Sequence, residues 1–222
     1  MTTLGIMHTL VPTPAGDARI TRFPARGRRR ALLALGHGAG GGVEALDLQA
    51  LAAALPAHGV EVALVEQPWR VAGRRIAPAP KILDVGWAPV VELLREDTTP
   101  SPGRARKVPL IVGGRSAGAR VACRTGLATG AAGVLALAFP LHPPGKPEKS
   151  RADELLATGL PTLVVQGAAD PFGTPSEFPK LPKTHRLVGL AAGNHAFAVR
   201  KDQEPVLDAV VEAVADWITT LI

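Results

Sequence analysis

Apolar runs of strand length recur along the chain at ALLALG (31–36), VEVALVE (60–66), VPLIVGG (108–114), GVLALAF (133–139), PTLVVQG (161–167) and HRLVGLA (185–191). Their hydrophobicity is largely continuous rather than alternating, which marks strands buried on both faces, as in a parallel sheet covered by helices. The intervening segments have helical length and predict helices over 44–57, 81–96, 117–129, 151–157 and 203–221. In the last of these, Val206, Val210, Val214 and Ile218 recur at the spacing of one helical face. A weakly alternating stretch from Ala18 to Pro24 predicts an edge hairpin with the strand after Arg26–Arg30 (RGRRR). The pattern therefore predicts an α/β chain in three layers, with a mostly parallel sheet of six or seven strands and helices on both faces.

Loops are short except for 67–80 and 140–150, which are rich in Pro and Gly and follow the C-terminal ends of strands. Ligands bind at that end of an open α/β sheet, so these two loops are the expected walls of a pocket. Neither is long enough for a large helical cap. A length of 222 residues without a break in composition predicts a single domain over 1–222.

Apolar residues at 46% and charged residues at 20% place the chain among packed globular proteins rather than disordered or membrane ones. The N-terminal stretch has no basic segment leading into an apolar one, and no apolar run approaches the roughly 18 residues of a membrane span. Cytoplasmic residence is the expectation. One cysteine, Cys123, excludes an internal disulfide framework and a cysteine-rich metal cluster. It should pack as a small apolar residue in the helix after VPLIVGG.

The net charge of +6 raises the question of an anionic partner such as nucleic acid. The basic residues fall mainly in Arg26–Arg30, Arg74-Arg75 and Arg104–Lys107, with no aromatic residues interleaved. Stacking platforms for single strands are therefore missing, and a nucleic-acid partner is disfavoured. Arg26–Arg30 and Arg104–Lys107 precede strands, so they are expected as solvated faces at the N-terminal edge of the sheet. Arg74, Arg75 and Arg115 fall at the opposite edge, where they could contact a substrate; Arg115 could instead brace the turn it sits on.

That opposite edge carries the candidate chemistry. Gly114-Arg115-Ser116-Ala117-Gly118 is a G-x-S-x-G between a buried strand and a helix. The pattern needs small neighbours because its serine sits on a sharp, strained strand-to-helix turn. Upstream, the first parallel strand ends in His37-Gly38-Ala39-Gly40-Gly41-Gly42, a turn able to expose backbone N–H groups to a developing oxyanion. Ala39 and Ala117 are the predicted donors, with His37 bracing the loop. Gly36, Gly38 and Gly41 also match a dinucleotide fingerprint, but no acidic residue follows the next strand in a clean ribose-binding setting. Downstream, Asp170 follows PTLVVQG and His195 follows the last strand. The order Ser116, Asp170, His195, each after a successive strand, is that of a nucleophile, an orienting acid and a base. His142 follows a strand on the same side and is a candidate pocket residue, whereas His8 falls in an unstructured start, His58 ends a helix and His185 begins a strand at the far edge.

Together GHGAGG (36–41), GGRSAGAR (113–120), FPLHPPGKPEKSRADEL (139–155), QGAADPFG (166–173) and GNHAF (193–197) resemble the dienelactone-hydrolase-like branch of the α/β-hydrolases. More closely, they resemble a small predicted-hydrolase family that includes testis-expressed and chromatin-complex-subunit homologues. The resemblance implies a three-layer α/β-hydrolase fold and carries the triad onto Ser116, Asp170 and His195. True dienelactone hydrolases have a cysteine nucleophile where this chain has Ser116, so their lactone substrate does not carry over. The expected function is hydrolysis of small carboxylic esters or thioesters through an acyl-enzyme, with no metal or organic cofactor. The alternative is a non-catalytic module of the same fold that binds protein or nucleic acid through its basic edge.

Overall fold

A computed structural model of the chain describes residues 7–98 and 108–222. Its strands are β1 (Met7–Thr13), β2 (Gly16–Phe23), β3 (Ala31–Gly36), β4 (Val60–Glu66), β5 (Leu110–Arg115), β6 (Gly133–Leu137), β7 (Thr162–Gln166) and β8 (His185–Gly189). Its α-helices are α1 (Leu46–Ala54), α2 (Pro68–Val71), α3 (Pro80–Glu96), α4 (Ala117–Thr125), α5 (Ala152–Leu156) and α6 (Leu207–Thr219). The strands form one sheet in the order β1-β2-β4-β3-β5-β6-β7-β8. From β4 to β8 every neighbouring pair is parallel, and β1 and β2 join antiparallel.

The continuous apolar runs are explained by two cores, one on each face of the sheet. Leu32, Ala34, Val112, Val134 and Val164 pack with Trp87 and Val91 of α3 and Val121 of α4. Their alternate neighbours Leu33, Leu35, Ile111, Leu135 and Leu163 pack with Leu48 and Leu51 of α1 and Val210, Val214 and Trp217 of α6. Side chains alternate across a strand, so a strand covered on both sides must be apolar at every position. This is the three-layer arrangement expected.

Sheet order reverses at β3, with β4 on one side and β5 on the other. The loops leaving β3 and β5 therefore diverge, opening a crevice at their C-terminal ends.

Among the described residues there are eight strands instead of the six or seven expected. The hairpin forms with a different partner from the one expected: β2 pairs with β1 and β4, not with β3, which follows RGRRR. His8, expected in an unstructured start, lies in β1 and its Nδ1 is 3.0 Å from Thr21 Oγ1. These two strands are half-exposed at the sheet edge and lack the continuous apolar run that made the others legible. Helix ends also differ: α1 yields to a 3-10 turn at Leu55–His58 and α2 interrupts the loop 67–80.

The expectation of a wholly solvated Arg26–Arg30 face is corrected at Arg29. Its guanidinium pairs with Glu61 at 2.7 Å, and Glu61 in turn pairs with Arg22 at 2.7 Å. Arg104–Lys107 lie outside the described residues. Among the described residues no helix is long and apolar enough to cross a membrane.

Candidate active site

Ser116 occupies the turn between β5 and α4 with φ 55° and ψ −112°, a region L-residues seldom enter. Its N–H donates to the Leu137 carbonyl at 3.0 Å, which holds the strained turn against β6. Such a conformation costs about 1–3 kcal/mol and persists where the surroundings enforce it. The enforcement is steric. A Cβ on Gly118 would stand 2.6 Å from the Gly36 carbonyl carbon, and one on Gly113 would stand 2.6 Å from the Leu135 carbonyl oxygen. Only glycine lets α4 start this close to β3.

His195 Nε2 lies 2.8 Å from Ser116 Oγ, and its Nδ1 lies 2.8 and 3.1 Å from the two carboxylate oxygens of Asp170. With Nδ1–H donating to the carboxylate, Nε2 is left to accept the serine hydroxyl. Asp170 is 1% exposed, so its acceptor capacity must be met inside the protein. The Gln166 amide donates to Oδ2 and the Phe172 N–H to Oδ1, both at 2.8 Å. Phe172 also lays its ring on the imidazole, with centroids 4.2 Å apart.

The loops bearing the acid and the base are laced together. Ala169 N–H donates to the Gly193 carbonyl at 2.9 Å, and Asn194 Oδ1 accepts from Ala196 and Ala198 N–H. Arg115 donates through Nη2 to the His195 carbonyl at 2.8 Å. Its Nε faces the buried carboxylate of Asp47 at 3.6 Å, and burial pushes the Asp47 pKa up.

Ala39 and Ala117 both line the cleft over Ser116, which has a volume of about 410 Å³. Ala117 is the first residue of α4, where an N–H finds no acceptor in its own helix. The loop bearing Ala39 is held by His37, whose Nδ1 is 2.9 Å from the Gly38 carbonyl and whose Nε2 accepts the Gln67 N–H at 3.0 Å. That pairing calls for a neutral imidazole, and burial lowers the His37 pKa in the same sense.

Ser116, Asp170, His195, Ala39, Ala117 and Arg115 are thus brought together. Three other candidates are not. His142 is buried, its Nδ1 3.0 Å from the Pro143 carbonyl and its Nε2 3.1 Å from Glu177, and it does not line the cleft. Arg74 and Arg75 are exposed beyond α2 and do not line it either, because α2 turns the chain away before they are reached. In their place the cleft presents Arg120 and Arg151. Arg120 was findable, four residues past Ser116 and so on the same face of α4. Asp47 and Arg151 carry no such signal.

Cys123 is buried in α4, and burial pushes its thiol up. Among the described residues, no group of three or more His, Cys, Asp or Glu could hold a metal ion.

A family model described as an alpha/beta hydrolase domain matches residues 29–222. No curated protein matches the sequence. Among solved structures, an α/β serine hydrolase without lid from Xanthomonas campestris superposes with a TM-score of 0.73 at 18% identity, covering 98% of this chain and 97% of that one. Dienelactone hydrolase from Anabaena variabilis gives 0.72 at 15% identity, covering 98% of each chain. Est1E from Butyrivibrio proteoclasticus gives 0.68 at 14% identity, covering 96% of this chain and 98% of that one.

Proposed function

The chain belongs to the alpha/beta hydrolase domain family, and on that premise we propose that it is a serine hydrolase acting on small carboxylic esters or thioesters. The observation that carries the reading is the continuous contact from Asp170 through His195 to Ser116 Oγ, at 2.8 Å on each side of the imidazole.

In this reading Ser116 Oγ attacks the substrate carbonyl while His195 Nε2 takes the hydroxyl proton and Asp170 stabilises the imidazolium. The tetrahedral oxyanion is met by the N–H groups of Ala39 and Ala117. His195 then returns the proton to the leaving alcohol or thiol, leaving an acyl-enzyme. Water, activated by the same imidazole, releases the acid and restores the serine. Another alcohol in place of water would give acyl transfer with the same groups. The neighbours support this class: the Xanthomonas campestris protein is a serine hydrolase without lid, and Est1E has been solved with ferulic acid bound. Among the described residues, no large insertion lines the cleft. A cytoplasmic setting and the finer kinship, with the small family of testis-expressed and chromatin-complex-subunit homologues, rest on the sequence features quoted above.

The non-catalytic alternative needs a free basic edge. The pairing of Arg29 and Arg22 with Glu61 removes part of it, so it is not the reading favoured.

Labelling with a fluorophosphonate probe tests the proposal. Stoichiometric labelling of the wild type, lost in Ser116→Ala and His195→Ala, is the expected result. A folded wild type that stays unlabelled would overturn it.

A further inference from the structure

Three guanidinium groups line the cleft over Ser116, and two of them face a carboxylate. Arg115 is engaged with Asp47 and the His195 carbonyl. Arg120 makes a two-bond pair with Glu154, at 2.6 and 2.8 Å. Arg124, one turn further along α4, takes Asp84 in a similar fork and also reaches Glu154. Among the described residues, Arg151 has no such partner: its Nη1 donates to the Pro140 carbonyl at 3.0 Å, and its side chain makes no ion pair.

Asp47, Glu154 and Asp84 are thus taken by Arg115, Arg120 and Arg124, and Asp170 by His195. Arg151 is left without a direct carboxylate partner, half-buried in the wall of the cleft that contains the nucleophile. A guanidinium carries five N–H donors, so most of those on Arg151 are uncommitted. Burial, and after it the like charge of Arg120, pull the Arg151 pKa below the ordinary guanidinium value, outweighing the opposite pull of Glu154. The loop that presents it is fixed, because Arg151 N–H donates to the Leu141 carbonyl at 2.7 Å.

We propose that Arg151 anchors an anion subsite and that the substrates are esters or thioesters bearing a separate carboxylate. The inference rests on the serine-hydrolase reading above for the reaction, though not for the binding. A carboxylate fits the planar fork of a guanidinium with two parallel hydrogen bonds. A cleft of about 410 Å³ lies in the range that accommodates small ligands.

The test compares esters with neutral isosteres. Monoethyl glutarate is paired with ethyl 4-carbamoylbutanoate for a charge on the acyl side, and 3-acetoxybenzoate with 3-acetoxybenzamide for one on the alcohol side. The wild type is expected to favour the anion of at least one pair roughly tenfold to a hundredfold in kcat/KM, as a charge-assisted hydrogen bond allows. That ratio collapses toward unity in Arg151→Gln, survives in part in Arg151→Lys, and is unchanged in Arg74→Gln. Calorimetric titration of Ser116→Ala with the same four compounds reads the subsite without turnover. Charge-selective binding with no hydrolysis would reject the hydrolase and keep the subsite, whereas hydrolysis with no charge preference would keep the hydrolase and reject the subsite. A preference that survives Arg151→Gln, or inorganic phosphate competing better than glutarate, would also overturn the proposal.

Discussion

Arg115 donates to the backbone carbonyl of His195 at 2.8 Å, so the residue preceding the serine also holds the loop that carries the imidazole. Eighty positions separate the two in sequence. Behind Arg115 stands Asp47, 1% exposed and with Oδ2 lacking a hydrogen bond. Asp47 and Arg115 therefore tie α1, the β5–α4 turn and the His195 loop into one electrostatic unit.

Arg115→Met should loosen His195 and strand Asp47. Removing one partner of a buried pair costs about 3–5 kcal/mol when the other stays charged. Asp47 has a second course, because its folded pKa already lies above the unfolded one and rises further without Arg115. A carboxyl with a raised folded pKa binds more protons folded than unfolded, so stability falls as pH climbs between the two values. The destabilisation by Arg115→Met is therefore expected to be larger at pH 8 than at pH 5. Urea denaturation of both proteins at the two pH values checks this.

Asp170→Asn should leave the fold in place and lower kcat by about four orders of magnitude on any ester the wild type cleaves. An asparagine that keeps an oxygen for the Phe172 N–H at the Oδ1 position turns its NH₂ toward Gln166 and His195, which puts the proton on the wrong imidazole nitrogen, and the reverse placement sets the NH₂ against the Phe172 N–H. Single-turnover kinetics with an activated ester would show slow acylation of Ser116. Undiminished acylation would sink the assigned role.

Gly118→Ala should be among the most damaging of single-methyl additions. The new Cβ would meet the backbone of Gly36 rather than a movable side chain. Overpacking of this kind destabilises by about 1–3 kcal/mol, and by more where backbone must shift. A lowered denaturation midpoint together with weaker fluorophosphonate labelling is expected; a stable, fully labelled variant would contradict the close approach.

His142→Asn should leave kcat/KM near that of the wild type, since His142 lies away from the cleft. Its effect is on stability and depends on pH. The Pro143 carbonyl, and after it Glu177, raise the His142 pKa. Stability from a raised histidine is fully present below its unfolded pKa, about 6.5, and is lost as pH rises through the folded value. The difference between wild type and variant, of at most about 1 kcal/mol with the partner Glu177 exposed, should shrink as pH passes from 6 to 8.

The six parallel strands and the order Ser116, Asp170, His195 were legible in the chain, because burial on both faces of β3 to β7 leaves a local record and β8, at the edge, keeps an apolar run. A strand sandwiched between helices must be apolar throughout, and a nucleophile turn must be flanked by glycine. The antiparallel strands leave no such record: β1 and β2 are half-exposed, their pattern is weak, and the neighbour expected for β2 differs from the one it has. Which strand lies beside which depends on long-range packing and not on local propensity.

The same division runs through the site. Sequence by itself determined which residue types stand at the ends of successive strands, since backbone strain and strand order constrain them locally. Only the tertiary structure decided which arginines face the cleft. It set aside Arg74 and Arg75, brought in Arg120 and Arg151, and placed Asp47 behind Arg115. A charged side chain's role depends on which opposite charges fold up beside it, and those partners lie tens of residues away in the chain.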